Sequence, residues 1–421
     1  MSVQTLDHPF VSAAALRSVN FFNGRLLSGD DLRVEQATQA ARLERLGEAV
    51  GDGIAYGFEV EETLGSSTNA EPVVTIARGL AVARSGVALE LTTDVDVSLV
   101  RRDPPDGAEP GALFADCQPY APGTYTAGAG VYVLTVAPAQ QGEGRARVSG
   151  LGNDVAPGNI ALSAEALKFR LIRLALPPSE LSEKDLLRNR IAYSCFGTEA
   201  RAGFVADPFG PLPTTNGLID TLRTQILADN EVPLAAIGWA IDDGIQFVDL
   251  WSVRRRLTRR SAEGDWSALV GDRQGAEHEA MFLQFQAQLA DLADALVAPD
   301  FFDAGSAFEL LPPVGFVPLG DEQAVGFDYV EFFADVPTRG PAVLKPAHVG
   351  ELLDEAGGFP PIAIDRGELV WLYLVHDNLV PRPDGREPQR YVLFANGHSR
   401  YLADARFELA YWNFANYAEV G

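Results

Sequence analysis

Apolar positions in the first fifty residues recur at helical spacing. From Ser28 onward, Leu32, Gln36, Ala40, Leu43, Leu46 and Val50 follow one another at roughly helical intervals, while Arg33, Glu35, Arg42, Glu44 and Arg45 fill the other face. This pattern predicts a helix with a thin apolar stripe, packed shallowly or against another chain. After Gly53 the pattern turns to strands. Stretches 72–83 and 87–100, rich in Val, Thr and Leu, predict strand regions joined by the turn Arg84-Ser85-Gly86. A Pro- and Gly-rich stretch over 103–130 predicts a long surface loop. Strands are predicted over 131–136 and 169–176, and helices near 182–191 and 217–228. Apolar runs at 234–240 and 245–250, joined by Asp242-Asp243-Gly244, predict a hairpin.

The cleanest helix is predicted over 275–298, ended by Pro299. Its residues Phe282, Phe285, Leu289, Leu292 and Leu296 alternate spacings of three and four. Two heptads are too few for a coiled coil, so the helix is read as packed on its own domain, with a seam joining copies as the sharper alternative. Beyond 301, strands are predicted at 329–336, 369–375 and 391–394, and a helix over 348–356 ended by Gly357-Gly358. The fold class is α+β, predominantly β. Its parts are an N-terminal helical segment (1–52), a β-rich middle domain (53–262), a long helix (263–300) and a C-terminal β-rich domain (301–421).

Charge narrows the partners. The chain carries 58 acidic against 33 basic residues, a net charge of −25. Such a surface repels nucleic acid and anionic lipid. Arg254, Arg255, Arg256, Arg259 and Arg260 cluster nonetheless. Charge runs ordinarily face water, and the alternative is a docking patch for an acidic neighbour. Cys117 and Cys195 form neither a disulfide framework nor a metal pair, so a reducing compartment is expected. The start lacks a basic-then-apolar signal and no apolar run is long enough to span a membrane. The expectation is a protein cytoplasmic as synthesised, which to act outside the cell would need release by lysis or as part of a particle.

Reactive chemistry is scarce. His8, His278, His348, His376 and His398 show no zinc-site spacing. His278 reads as a core histidine. His376 and Asp377, adjacent at a strand end, should point to opposite faces. Ser399 in Gly397-His398-Ser399-Arg400 lacks the second glycine of a nucleophile elbow. Gly128-Ala129-Gly130 precedes a strand instead of opening a helix, and no phosphate or calcium loop occurs. No catalytic residue, cofactor or metal ligand is expected. Tyr411, Trp412, Phe414 and Tyr417 crowd the C-terminus, as a terminal strand or as an exposed anchor for a neighbour or a sugar.

The densest motif is Asn20-Phe21-Phe22-Asn23-Gly24-Arg25-Leu26-Leu27-Ser28-Gly29-Asp30-Asp31-Leu32. Asn23-Gly24 is a turn dipeptide flanked by apolar groups. Ser28 is placed to cap the helix, with Asp30 and Asp31 in its first turn. Further on stand Gly53-Ile54-Ala55-Tyr56-Gly57-Phe58-Glu59-Val60, then Val232-Pro233-Leu234 through Trp251 to Arg254-Arg255-Arg256. Leu310-Leu311-Pro312-Pro313-Val314-Gly315-Phe316-Val317-Pro318 and Leu372–Asn378 with Tyr391-Val392-Leu393-Phe394 complete the series. In this order the segments resemble proteins associated with contractile phage tails and phage-tail-like contractile injection systems. The resemblance implies a non-enzymatic baseplate subunit in several copies, contacting other baseplate, tube or sheath proteins and self-associating in a ring. It implies an N-terminal docking element at Phe21, Phe22, Gly24, Leu27 and Leu32, and a second contact surface at Trp251, Arg254, Arg255 and Arg256. Val50-Gly51-Asp52-Gly53 departs from the pattern by lacking a His-Gly pair. The rival readings are a fibre-like subunit binding a receptor or glycan through the C-terminal domain, and an acidic polysaccharide-active enzyme.

Overall fold

The computed structural model describes residues 15–63, 72–99, 130–146, 160–176, 184–198, 207, 209, 217–240, 244–259, 272–295, 302–320, 325–379 and 388–402. Helix α1 (Gly29–Val50) leads into strands that are each broken once. β1 (Gly53–Gly57) resumes as β2 (Val60–Glu62), β3 (Val73–Ile76) as β4 (Gly79–Val82), and β5 (Ala88–Leu91) as β6 (Val95–Ser98). The pieces form two antiparallel sheets, β1-β4-β5 and β2-β3-β6, which together are one three-stranded meander folded across its middle. The fold runs through Gly57 (φ 70°) and Phe58 (φ 57°), the latter a rare left-handed conformation for a bulky side chain. The strand regions expected at 72–83 and 87–100 are therefore in place, each cut in two, with the turn at 84–86 between them.

The central sheet is antiparallel, built from β7 (Gly130–Arg145), β8 (Ile160–Arg173), β9 (Val232–Ala240) and β10 (Gly244–Asp249) in the order β10-β9-β7-β8. Period-two alternation along β7 sorts its side chains between two cores. Leu134 and Val136 face the bent meander, beside Ile54, Phe58, Val74, Ile76 and Leu89. Val131 and Val133 face helices α2 (Lys184–Phe196) and α3 (Gly217–Arg223), beside Leu187, Ile191 and Leu222. Burying each such aliphatic side chain contributes about 1.5–3 kcal/mol. The hairpin expected around 242–244 is β9–β10, paired from Ala240 and Gly244. β9 leaves β7 at Val136, and β7 and β8 run on as a two-stranded ribbon to the pair Arg145 and Ile160.

Helix α4 (Asp272–Ala295) precedes the C-terminal elements β11 (Leu310–Leu311), β12 (Val314–Pro318), α5 (Tyr329–Phe332), β13 (Thr338–Leu344), α6 (Pro346–Ala356), β14 (Ile362–Ala363), β15 (Val370–Val375), α7 (His376–Leu379) and β16 (Tyr391–Asn396). Their main sheet has the order β12-β16-β15-β13, with β13 parallel to β15. On one face Val392 and Phe394 meet Phe285 and Leu289 of α4. On the other, Leu393 and Ala395 meet Leu352 and Ala356 of α6. Phe285 and Phe394 stand edge to face at 5.4 Å. The stripe on α4 is thus used within the chain as far as Leu292; Leu296 lies outside the described residues. The strand expected at 329–336 is a helical turn instead. The Asp328 carboxylate accepts the amides of Val330 (2.7 Å) and Glu331 (3.3 Å), capping α5 and burying Phe332 and Phe333. A local cap outweighs the strand preference of the aromatic run.

Helix α4 also joins the two halves. Ala280 and Met281 pack on Ala192, Tyr193 and Phe196 of α2. Beside them lies Asp249, only 1% exposed. One carboxylate oxygen accepts from Arg188 Nε at 2.8 Å and Gln284 Nε2 at 2.9 Å; the other accepts from the Ser252 amide at 2.9 Å. Arg188 extends to Asp291 at 2.6 Å. Asp249→Ala leaves the Arg188 guanidinium without its buried partner, and urea unfolding should show a loss of about 3–5 kcal/mol. A loss under about 1 kcal/mol would mean that the joint is held by apolar contacts instead.

Candidate docking arm

The resembling motif folds as a turn and helix start, preceded by a segment that returns along the helix. The Arg25 amide donates to Phe22 O at 3.2 Å, closing a turn in which Gly24 takes φ 92°. The Arg25 guanidinium donates to Asn20 O at 2.8 Å and to Asp31 at 2.6 Å. Ser28 and Asp31 form a reciprocal capping box: the Asp31 amide donates to Ser28 Oγ, and the Ser28 amide to Asp31 Oδ2. The Ser28 amide and hydroxyl, then Arg25, hold the Asp31 carboxyl below its ordinary value. The chain before the turn lies back along α1, where the Thr38 hydroxyl donates to Arg17 O at 2.6 Å and the Val19 amide donates to Glu35 at 3.1 Å.

This arm leaves its apolar groups in water. Thr38 is the buried residue of the 22-residue α1. Phe22 is 63% exposed and Leu26 93%, and Phe21, Leu27, Leu32, Leu43, Leu46 and Val50 are exposed as well. So many exposed apolar side chains on one element make the arm a candidate interaction site. All five residues of the expected N-terminal docking element, Phe21, Phe22, Gly24, Leu27 and Leu32, lie on the exposed face of the arm.

The base of the arm, by contrast, is tightly sewn in. A Cβ on Gly47 would stand 2.0 Å from Gly86 O, and one on Gly51 would stand 1.9 Å from Thr258 O. Only glycine permits such approaches. Asp52 and Thr258 exchange backbone hydrogen bonds at 3.2 and 3.1 Å, and Ile54 donates to Arg255 O at 2.9 Å. Two of the sequence motifs, 53–60 and the stretch ending at Arg256, therefore meet here.

The arginines of the second expected surface make mainly internal contacts within the chain. Arg254 is buried and donates to Gly57 O at 2.8 Å and Phe58 O at 3.3 Å, the carbonyls freed where the meander folds. Its guanidinium also lies 5.1 Å from the Trp251 ring centre. Arg255 donates to the carbonyls of Trp251 and Arg254, both at 2.7 Å, and covers Phe196 at 4.9 Å. Burial depresses both guanidinium pKa values, against the opposing pull of Glu59 on Arg254 and of Glu277 on Arg255. Arg256 is exposed and pairs with Glu279 at 2.6 Å. Charge runs usually face water, and sequence offered no sign of a strand fold demanding donors apart from Gly57 itself.

The remaining candidates show less. His376 opens α7 instead of continuing the strand, which brings its ring within 3.2 Å of Asp377, contrary to the expected divergence; both are exposed. Cys195 is buried, and desolvation, partly offset by Arg255, pushes its thiol up to about 12. Among the described residues no group of three or more His, Cys, Asp or Glu is placed to hold a metal ion, and no helix is long and apolar enough to cross a membrane. The C-terminal aromatic cluster, Tyr411 to Tyr417, lies outside the described residues.

Arg254→Ala should cost about 2–3 kcal/mol in chemical denaturation, because one buried and one half-buried carbonyl lose a charged donor. Arg256→Ala should change stability by less than about 0.5 kcal/mol. In a Cys117→Ala background, Cys195 should resist a thiol reagent at pH 8 until denaturant is added. Rapid labelling of the folded protein would contradict the buried, protonated thiol.

Neither a family model nor a curated protein sequence matches this chain. Among solved structures, a crystal structure of TssK aligns with 84% of this chain and 61% of its own, at 8% identity and a TM-score of 0.27. The chain therefore spans about three fifths of that protein's length, and a likeness of this size carries no weight for function.

Proposed function

We propose that this chain is a structural, non-enzymatic subunit of a contractile injection system or phage-tail-like particle, in or around the baseplate. The observation that carries the reading is the arm: the apolar residues of the resembling N-terminal motif stand exposed in the turn before α1 and on its first turn, and the helix is anchored at its far end. An enzyme has no evident use for an apolar mast outside its core, whereas an assembling subunit needs a contact that is both exposed and rigidly based. The acidity of the body fits docking to neighbours through defined apolar or basic surfaces. Other baseplate, tube or sheath proteins are the partners that this reading assigns.

The test is co-expression with the genomic neighbours, followed by negative-stain imaging and mass spectrometry of purified particles. The chain is expected in the particles. Phe22→Glu with Leu27→Glu should remove it from them while shifting the melting temperature by no more than a few degrees, since both side chains are already in water. A wild-type chain found free, and absent from particles, would overturn the assignment.

A further inference from the structure

The stripe on α1 has a pattern that selects its own complement. Leu32, Gln36, Gln39, Leu43, Leu46 and Val50 all lie exposed on one side, at alternating spacings of four and three. Thr38, under the returning segment, lies on another side, while Gly47, packed on the body, flanks the stripe between Leu43 and Val50 without covering those exposed side chains. Glu35 and Arg42 border the stripe.

We propose that α1 of a second copy of this chain packs antiparallel along this stripe. The inference deepens the docking role assigned to the arm and rests on that reading. One alignment satisfies every position. Leu32 faces Leu43 of the second copy, and Gln36 faces Gln39. Glu35 then faces Arg42 of the second copy, and symmetry repeats each pair. Leu46 and Val50 fall against the start of the second arm, where Leu26 and Leu27 are exposed. A parallel pairing sets Glu35 beside Ala40 and Arg42 beside Gly47, and uses neither charge. The arm as a whole permits the approach. Over residues 15–50, Arg17, Arg25, Arg33, Arg42 and Arg45 balance Asp30, Asp31, Glu35, Glu44 and Glu48, giving zero net charge in a chain of −25. Two arms meet without the repulsion that two bodies experience.

Sedimentation equilibrium of the full chain, over about 1–200 μM, tests this. Wild type should show a two-chain species, and Leu43→Glu should be monomeric. Glu35→Arg and Arg42→Glu should each weaken association about tenfold or more, by setting like charges opposite one another twice. The double swap, E35R with R42E, should recover wild-type association to within about threefold. Glu35 also binds Val19 and Gln39 within its own arm. The swap does not restore those bonds, so recovery reports the contact between copies. A monomeric wild type, an L43E variant that still pairs, or a double swap no better than the single variants would each overturn the inference. Its fate is separable from the particle assignment: a monomer that enters particles sinks only this pairing, and a pair excluded from particles sinks only the assignment.

Discussion

The structure turns on one carboxylate buried away from solvent. Asp249 accepts hydrogen bonds from Arg188 on α2, from Gln284 on α4 and from the backbone at Ser252. Removing ions from water costs several kcal/mol each, and a buried pair is tolerable only when its remaining lone pairs and protons are matched. Three elements that are distant in sequence must therefore sit in register before the site becomes affordable at all. Apolar contacts alone would let α4 slide on α2, because Ala280 and Met281 present no directional groups. The polar triad removes that freedom. Since α4 also carries Phe285 and Leu289 into the C-terminal core, the same triad sets how the C-terminal sheet meets the central one.

From Asp249 the constraint passes outward to the arm. Its second oxygen holds the Ser252 amide, in the turn where the Val253 and Arg254 amides donate to Leu250 O. That turn aims Arg254 at the fold of the meander and lays Arg255 over Phe196. The following residues then pair with 52–54, immediately after α1. The arm is thus continuous, through backbone hydrogen bonds and two buried guanidiniums, with the most tightly specified point of the interior. A helix attached by a slack linker would have no fixed orientation; α1 has one. Gly47, Gly51 and Gly86 make that possible, because any side chain there would lift the helix off its base.

Local signals were the legible part of the sequence. Ser28 and Asp31 announced the helix start, Asn23-Gly24 the turn and Asp243-Gly244 the hairpin, because each rests on the conformational chemistry of a few neighbouring residues. The stripe on α4 was legible as a core face for the same reason. Features set by distant partners were not. Residues 137–145 continue β7 although Gln140, Gln141, Gly142 and Gly144 carry little strand preference; β8 supplies the pairing. The bend at Phe58 and the burial of Arg254 explain each other, yet 196 residues separate them. The arm itself was half visible: its thin stripe predicted shallow burial, while its attachment depended on glycine contacts that no local pattern encodes.

Length and charge together give the arm a physical rationale. At physiological ionic strength, exposed charges more than about 8 Å apart are largely screened from one another. A helix of 22 residues extends about 33 Å, roughly four screening lengths. A contact made along its exposed face can hold neighbouring bodies far enough apart for much of their mutual repulsion to be lost in the intervening salt. Direct contact between two bodies that share a net charge of −25 would need oppositely charged patches, and the arginine cluster best placed to supply one is largely committed to the interior. On the docking role proposed for the arm, the burial of Arg254 and the neutrality of the arm are two sides of one solution: positive charge stabilises the fold at the base, and association would be left to a surface that carries no net charge.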